Sequence, residues 1–310
     1  MNRLPIYLQL FLSHHNYNFC EVLQYNYRKN LYVLKIEKDK SFFLLKSYDI
    51  DNSLDTVKTK FKTEQGFYRN NSSSSIPKLI YFEKNIIILE YIDSLSLREY
   101  LIKREDKRKL LVSLFSSLDK FKATLIDKDS MKNDFSNVYR YISVLCNSHP
   151  FQAKNIQISF WDISLNRIIY KLLLLKIKRI LQQYDNKNLL NGFSHHDFHY
   201  NNILVSPNDE IKFIDFENIK YSGYFDFDVL FLLVLIDIYI EQSTEEYRIL
   251  KNYLEALFLK DEVLKQVYEV YKIAVSINKK FFLESNKKSL SKSKKIILIM
   301  RLLKGNKKDV

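Results

Sequence analysis

The stretch Ser194-His195-His196-Asp197-Phe198-His199-Tyr200-Asn201-Asn202-Ile203-Leu204-Val205, followed by Lys212-Phe213-Ile214-Asp215-Phe216-Glu217, decides how the rest of the chain is read. Ile203 to Val205 and Ile211 to Phe216 have strand character within an otherwise helical half. Ser206 to Glu210, with Pro207-Asn208-Asp209, is turn material between them. Pairing centred between Asn208 and Asp209 sets Asn202 opposite Asp215, with Cβ atoms about 4.5–5.5 Å apart. A carboxylate and an amide oxygen that close can share one Mg²⁺, which keeps its waters and takes the rest of its shell from phosphates. Asp197 lies on the loop entering the first strand. There it can accept the proton of an attacking hydroxyl while the metal neutralises charge on a transferred phosphoryl group.

At these residues the chain resembles the protein-kinase-like superfamily, and within it the aminoglycoside phosphotransferase and choline kinase group. His195-x-Asp197-x4-Asn202 is similar to that group's HxDxxxxN catalytic loop, and Ile214-Asp215-Phe216-Glu217 to its metal-binding IDFE. The resemblance implies that Asp197 is the catalytic base, that Asn202 and Asp215 are Mg²⁺ ligands, and that ATP is the phosphate donor. His195 reads as a scaffold residue of the loop. Phe227-Asp228-Val229 resembles the buried FD[IV] segment that braces the loop, which gives that role to Asp228, with Asp226 as the alternative. A zinc reading of His195, His196 and His199 has no distant carboxylate or cysteine partner to support it.

The first ninety or so residues test the resemblance independently. Glu21 to Gln24, Leu31 to Ile36 and Ser41 to Tyr48 read as three antiparallel strands. A helix follows with Leu54, Val57, Phe61 and Tyr68 at helical spacing and Asn52 or Ser53 as its cap, and Lys78 to Phe82 and Ile86 to Tyr91 form a second hairpin. Alternation places Lys46 on a face with Phe42, Leu44 and Tyr48, and Glu64 falls on the inward stripe of the helix. A lone charge at either place is costly and pairing removes much of the cost. The resemblance likewise makes Lys46 the phosphate-holding lysine and Glu64 its partner, with Lys35 as the other candidate lysine. Glu90-Tyr91-Ile92 resembles the hinge whose backbone meets adenine, although Ser94 stands where the group often has glycine.

Only Gly66, Gly192, Gly223 and Gly305 are present, so neither GxGxxG nor a P-loop can be written. The turn Asn26-Tyr27-Arg28-Lys29-Asn30 sits where kinases usually have a Gly-rich loop. The expectation is that Arg28 or Lys29 side chains cover the phosphates there instead of bare backbone amides. From Ser96 onward the pattern is helical, with a stripe of Leu111, Leu114, Phe115, Leu118, Phe121 and Leu125, a basic helix over about 165–181, and a buried apolar run from Val229 to Ile236.

The net charge is +13, which suits an anionic partner. An AT-rich coding sequence yields the same enrichment in Lys, Asn, Ile, Tyr and Phe without selection for charge. Residues 284–310 carry nine basic against two acidic residues, a net +7, around an apolar run from Ile296 to Leu303. That segment reads either as a final core helix with a Lys-rich tail or as an amphipathic helix in peripheral contact with an anionic membrane. Cys20 and Cys146 are too few for a disulfide framework, no signal peptide is recognised, and a reducing cytoplasm fits.

The expected fold class is α+β, a bilobal protein-kinase-like fold. An N-terminal nucleotide-binding lobe over 1–92 would hold a five-stranded antiparallel sheet and one helix. A mainly helical catalytic and substrate lobe over 93–283 would follow, then the basic segment 284–310. The expected activity is ATP- and Mg²⁺-dependent phosphorylation of a hydroxyl on a small molecule or glycan, such as a sugar, a lipopolysaccharide-type glycan or an amino alcohol, with no nucleic-acid partner. The rivals are an inactive pseudokinase binding module and a protein kinase. The latter is disfavoured by Glu217 in place of the DFG glycine and by the short distance to the helix near Phe227.

Overall fold

The computed structural model describes residues 4–49, 53–104, 106–124, 135–147, 160–182, 193–220, 224–277 and 290–305. Along the chain run α1 (Ile6–His14), β1 (Asn18–Asn26), β2 (Leu31–Lys38), β3 (Ser41–Tyr48), α2 (Asp55–Asn70), β4 (Leu79–Glu83), β5 (Ile86–Glu90), β6 (Leu95–Ser96), α3 (Leu97–Lys103), α4 (Arg108–Thr124) and α5 (Ser136–Asn147). There follow α6 (Phe160–Gln182), β7 (Ile203–Val205), β8 (Ile211–Phe213), α7 (Phe225–Asp237), α8 (Glu245–Phe258), α9 (Glu262–Ser276) and α10 (Lys292–Gly305). The chain divides into two compact units, Met1–Ser94 with Ser206–Ile219 and Leu95–Val205 with Lys220–Val310. The first unit therefore takes in a segment that an unbroken lobe over 1–92 leaves out.

In the first unit a five-stranded antiparallel sheet has the order β1-β2-β3-β5-β4. Its two faces have different chemistry because side chains alternate along each strand. Leu34, Ile36, Leu45, Ile86 and Ile88 pack with Leu8, Phe11 and Leu12 of α1 into an apolar cluster. On the opposite face, the register sets Val33 beside Lys46 and Lys46 beside Ile87. Here Tyr48 meets Phe61 of α2, ring centroids 4.8 Å apart.

The start of α2 differs from the expectation. Its N-cap is Leu54, exposed and without a side-chain cap, whereas the Ser53 hydroxyl donates to the Lys29 carbonyl at 3.0 Å. Asn52 lies outside the described residues. The predicted strand through Phe216 also ends early, at Phe213, because Asp215 adopts a left-handed conformation (φ 65°, ψ 58°) that an extended strand cannot continue. The 3₁₀ turn Phe216–Asn218 then packs on α2, with Phe216 stacked on Phe67 at 3.9 Å. The Phe213 N–H donates to the Ser75 carbonyl at 2.7 Å, which ties β8 to the loop after α2.

Among its described residues the second unit is mainly helical, with a short antiparallel pair of β6 and β7 that sets Leu95 opposite Val205. Ser96 opens α3 with a capping box: its hydroxyl accepts from the Glu99 N–H and the Glu99 carboxylate accepts from the Ser96 N–H. The α4 stripe Leu111, Leu114, Phe115, Leu118 and Phe121 is buried as its spacing predicts, while Leu125 lies outside the described residues. At the centre, every side chain of α7 from Phe225 to Ile236 is buried. A helix apolar all round belongs in a core, and α9, α5 and α8 pack around it. The basic helix α10 packs on α6, with Lys295 and Leu302 buried and Ile296, Ile297, Met300 and Leu303 exposed. Among the described residues no helix is long and apolar enough to cross a membrane.

Candidate functional site

In the first unit the charged residues singled out from sequence converge. Lys46 Nζ lies 2.5 Å from Glu64 Oε2 and 3.2 Å from Asp215 Oδ1. Lys46 and Glu64 are both buried, so neither charge is stable there without the other. Burial works against the Lys46 ammonium, but the carboxylates of Glu64 and then Asp215 outweigh it and lift its pKa above the ordinary lysine value. Lys35, the other candidate, is engaged elsewhere. Its Nζ sits 4.5 Å from the ring centroids of both Phe42 and Tyr91 and 3.8 Å from Glu21.

The loop between β1 and β2 is built without glycine. Asn26 Oδ1 accepts from the backbone N–H groups of Arg28 (3.1 Å) and Lys29 (3.2 Å), and Asn30 supplies the left-handed residue (φ 45°). Of the two basic side chains, Lys29 and not Arg28 reaches the carboxylates. Arg28 Nε donates to Tyr27 Oη at 3.2 Å and the guanidinium lies over that ring, whereas Lys29 Nζ is 3.1 Å from Glu217 Oε1. At the end of β5, Glu90 is engaged through both its N–H and its side chain: the N–H donates to the Lys78 carbonyl, and the carboxylate accepts from the Lys78 N–H at 3.0 Å with Lys212 3.7 Å away. The Ile92 carbonyl accepts from the Ser94 hydroxyl at 3.1 Å, so the Ser94 side chain closes the turn.

In the second unit, the loop ahead of β7 is fixed from several sides. Asn202 Nδ2 donates to the Asp197 carbonyl at 2.8 Å, which leaves Oδ1 as the oxygen this amide can offer a hard cation. Asp197 has one carboxylate oxygen 3.9 Å from Arg140 Nη2 and the other 3.7 Å from His199 Nε2. His199 Nδ1 accepts from the Asn201 N–H, and His195 and His196 are buried. Among the described residues no group of three or more His, Cys, Asp or Glu is arranged to hold a metal. A Mg²⁺ that takes most of its shell from water and phosphate needs no such group; Asp215 in the first unit and the Asn202 amide oxygen in the second are, each by itself, hard donors of the type it uses.

Of the two aspartates that could brace this loop, the structure places Asp228 against it and Asp226 elsewhere. Asp228 Oδ2 accepts from the His195 N–H (3.0 Å) and Oδ1 from the His196 N–H (3.2 Å) and from the Tyr141 hydroxyl. Tyr141 Oη in turn accepts from the Phe198 N–H at 3.0 Å, so α5 and α7 grip the backbone on both sides of Asp197. Asp226 instead forms a buried ion pair with Lys122 of α4. Sequence reasoning missed Tyr141. Beside Val138 and Ile142 it reads as one more core ring, and a hydroxyl partner far along the chain leaves no periodic signal.

This brace predicts a pH dependence. Burial pushes the Asp228 carboxyl up to about 7, against the hydrogen bonds from Tyr141, His195 and His196 that pull it down. The folded chain then binds a proton that the unfolded chain releases near the ordinary aspartate value of about 3.9. Stability from this residue therefore falls as pH rises between about 4 and about 7, by at most about 1.4 kcal/mol per pH unit. Urea unfolding at pH 5 and pH 7 is expected to show a larger loss for the wild type than for Asp228→Asn. Parallel losses would refute the assignment.

No protein-family model and no curated protein sequence matches the chain. Solved structures do. Aminoglycoside phosphotransferase APH(4)-Ia superposes with a TM-score of 0.55 at 11% identity, covering 96% of this chain and 98% of that one. APH(2'')-Ib in its ADP-bound form gives 0.51 at 16%, covering 97% of each. The streptomycin-ATP ternary complex of APH(2'')-IIa gives 0.52 at 16%, covering 98% and 97%. At such identities the likeness is one of fold: this chain has the bilobal, protein-kinase-like architecture of the aminoglycoside phosphotransferases.

Proposed function

We propose that this protein is an ATP- and Mg²⁺-dependent phosphotransferase that phosphorylates a hydroxyl of a small molecule or glycan. The observation that carries the reading is the buried Lys46–Glu64 pair with Asp215 on the same ammonium. A buried lysine with two carboxylates is an expensive arrangement for packing alone and a useful one for orienting phosphates. The nucleotide complexes known for proteins of the same fold support the choice of ligand.

In this reading Lys46, oriented by Glu64, binds the phosphates, and the backbone of Glu90 and Ile92 meets the base. Asp215 and Asn202 offer oxygens to Mg²⁺, which when bound neutralises charge on the transferring phosphoryl group. Asp197 orients the acceptor hydroxyl and takes its proton. Tyr141 and Asp228 keep the loop in shape, and His195 is held through its backbone.

The acceptor follows from what flanks Asp197. Arg140 places a cation beside the base, which works against a polycationic acceptor and favours a neutral or anionic hydroxyl compound, in keeping with the net charge of +13. An amino alcohol or aminoglycoside is the second choice. Purified protein with γ-labelled ATP and Mg²⁺ should label neutral or anionic sugars or glycan fractions in preference to aminoglycosides, amino alcohols or a protein substrate. Label confined to the cationic acceptors would overturn the acceptor reading. Nucleotide binding without label in any fraction would make the chain a binding module.

A further inference from the structure

Lys29 and Lys60 converge on one carboxylate of the first unit. Lys29 Nζ lies 3.1 Å and Lys60 Nζ 3.3 Å from the same Glu217 oxygen, Oε1. Two residues earlier, Asp215 contacts Lys46, which also pairs with Glu64. Three ammonium groups and three carboxylates thus gather in one place with no net charge. Glu217 is 12% exposed, whereas the two outer lysines are 36% and 39% exposed.

Two features argue against a purely stabilising role. Half-exposed ion pairs contribute little, typically about 0–1 kcal/mol, and lysine is a point charge on a flexible stem that can turn to another anion. Two backbone donors of the loop, moreover, are already in use, since the N–H groups of Arg28 and Lys29 both bond to Asn26 Oδ1. The loop is also tied down, because the Lys29 carbonyl accepts from Ser53 and the Asn30 carbonyl from the Asp49 N–H. An anion approaching this loop therefore meets a side chain that starts from fixed backbone.

Resting on the phosphotransferase reading, we propose that Lys29 and Lys60 are ligands of the nucleotide polyphosphate. Glu217 is the anion that holds them until phosphate oxygens take its place. The exchange is one of non-covalent partners: Glu217 releases two ammonium groups and the polyphosphate, which carries more charge, receives them. Lys60 extends the site onto α2, one helical turn before Glu64, and the loop contributes charge where a Gly-rich loop contributes amides.

The test is calorimetric titration of the full chain with adenosine, AMP, ADP and ATP in EDTA, so that divalent metal at Asp215 does not enter. Lys29→Met and Lys60→Met are each expected to weaken ATP binding about tenfold, the loss of one charge-assisted contact, with adenosine affinity unchanged. Glu217→Gln is expected to tighten ATP, because the competing anion is gone. Unchanged ATP affinity in both lysine variants, an equal loss for adenosine, or weaker ATP binding by Glu217→Gln would overturn the inference alone. A wild-type chain that binds no adenine nucleotide would overturn the phosphotransferase reading, and the inference with it.

Discussion

Asp197→Asn is expected to lower phosphate transfer by about 10²–10⁴-fold, the usual contribution of a positioned general base, while nucleotide affinity stays at the wild-type value. The separation follows from the way the loop is built. Asn202 grips the backbone carbonyl of Asp197, and the N–H groups of His195, His196 and Phe198 are held by Asp228 and Tyr141. None of these bonds uses the Asp197 carboxylate, so an isosteric amide changes the chemistry without releasing the loop. Phosphate transfer from labelled ATP and equilibrium nucleotide binding, measured on the same preparation, check both halves. Undiminished turnover would remove Asp197 from the role of base.

The largest effect on stability is expected at Lys122. Its ammonium and the Asp226 carboxylate are both buried and bonded to each other between α4 and α7. Lys122→Met leaves Asp226 as an uncompensated buried charge and should cost about 3–5 kcal/mol, whereas Lys122→Met with Asp226→Leu should recover most of that loss. Urea denaturation of the two variants makes the comparison. A single variant within about 0.5 kcal/mol of wild type, the ordinary range for surface changes, would show that the pair does not hold the two helices. Asp226 lies one position from Phe227 and two from Asp228, so a shift of α7 in the single variant should also loosen the brace on the His195–Phe198 loop.

The five strands, the helix between them and the helical half were legible because their signals are local: alternation for β2 and β3, helical spacing for α2 and α4. The pairing of Lys46 with Glu64 was legible for a related reason. Each sits on a face patterned as buried, and buried charges need partners. What the sequence did not disclose depends on contacts between distant segments. Lys29 and Arg28 are adjacent and chemically alike, and only Glu217, far along the chain, separates the inward one from the outward one. Lys60 looks like an ordinary solvent-facing helix residue until Glu217 is brought to it. Arg140 gives no signal of its own until α5 sets it near Asp197. Asp226 and Asp228 share one helical turn, and their division of labour rests on Lys122 and Tyr141, neither of which any spacing rule connects to α7.

The fully buried helix α7 has a consequence for synthesis of the chain on the ribosome. Its apolar surface is covered by α9 and α8, which are translated after it. From Asp237 at the end of α7 to Ser276 at the end of α9 are 39 residues. At about 5–20 residues per second these take roughly 2–8 s to make. For that interval a helix made, apart from its aspartates, of Phe, Leu, Val and Ile lacks two of the helices that cover it, which makes α7 a segment of the nascent chain for a chaperone to shield.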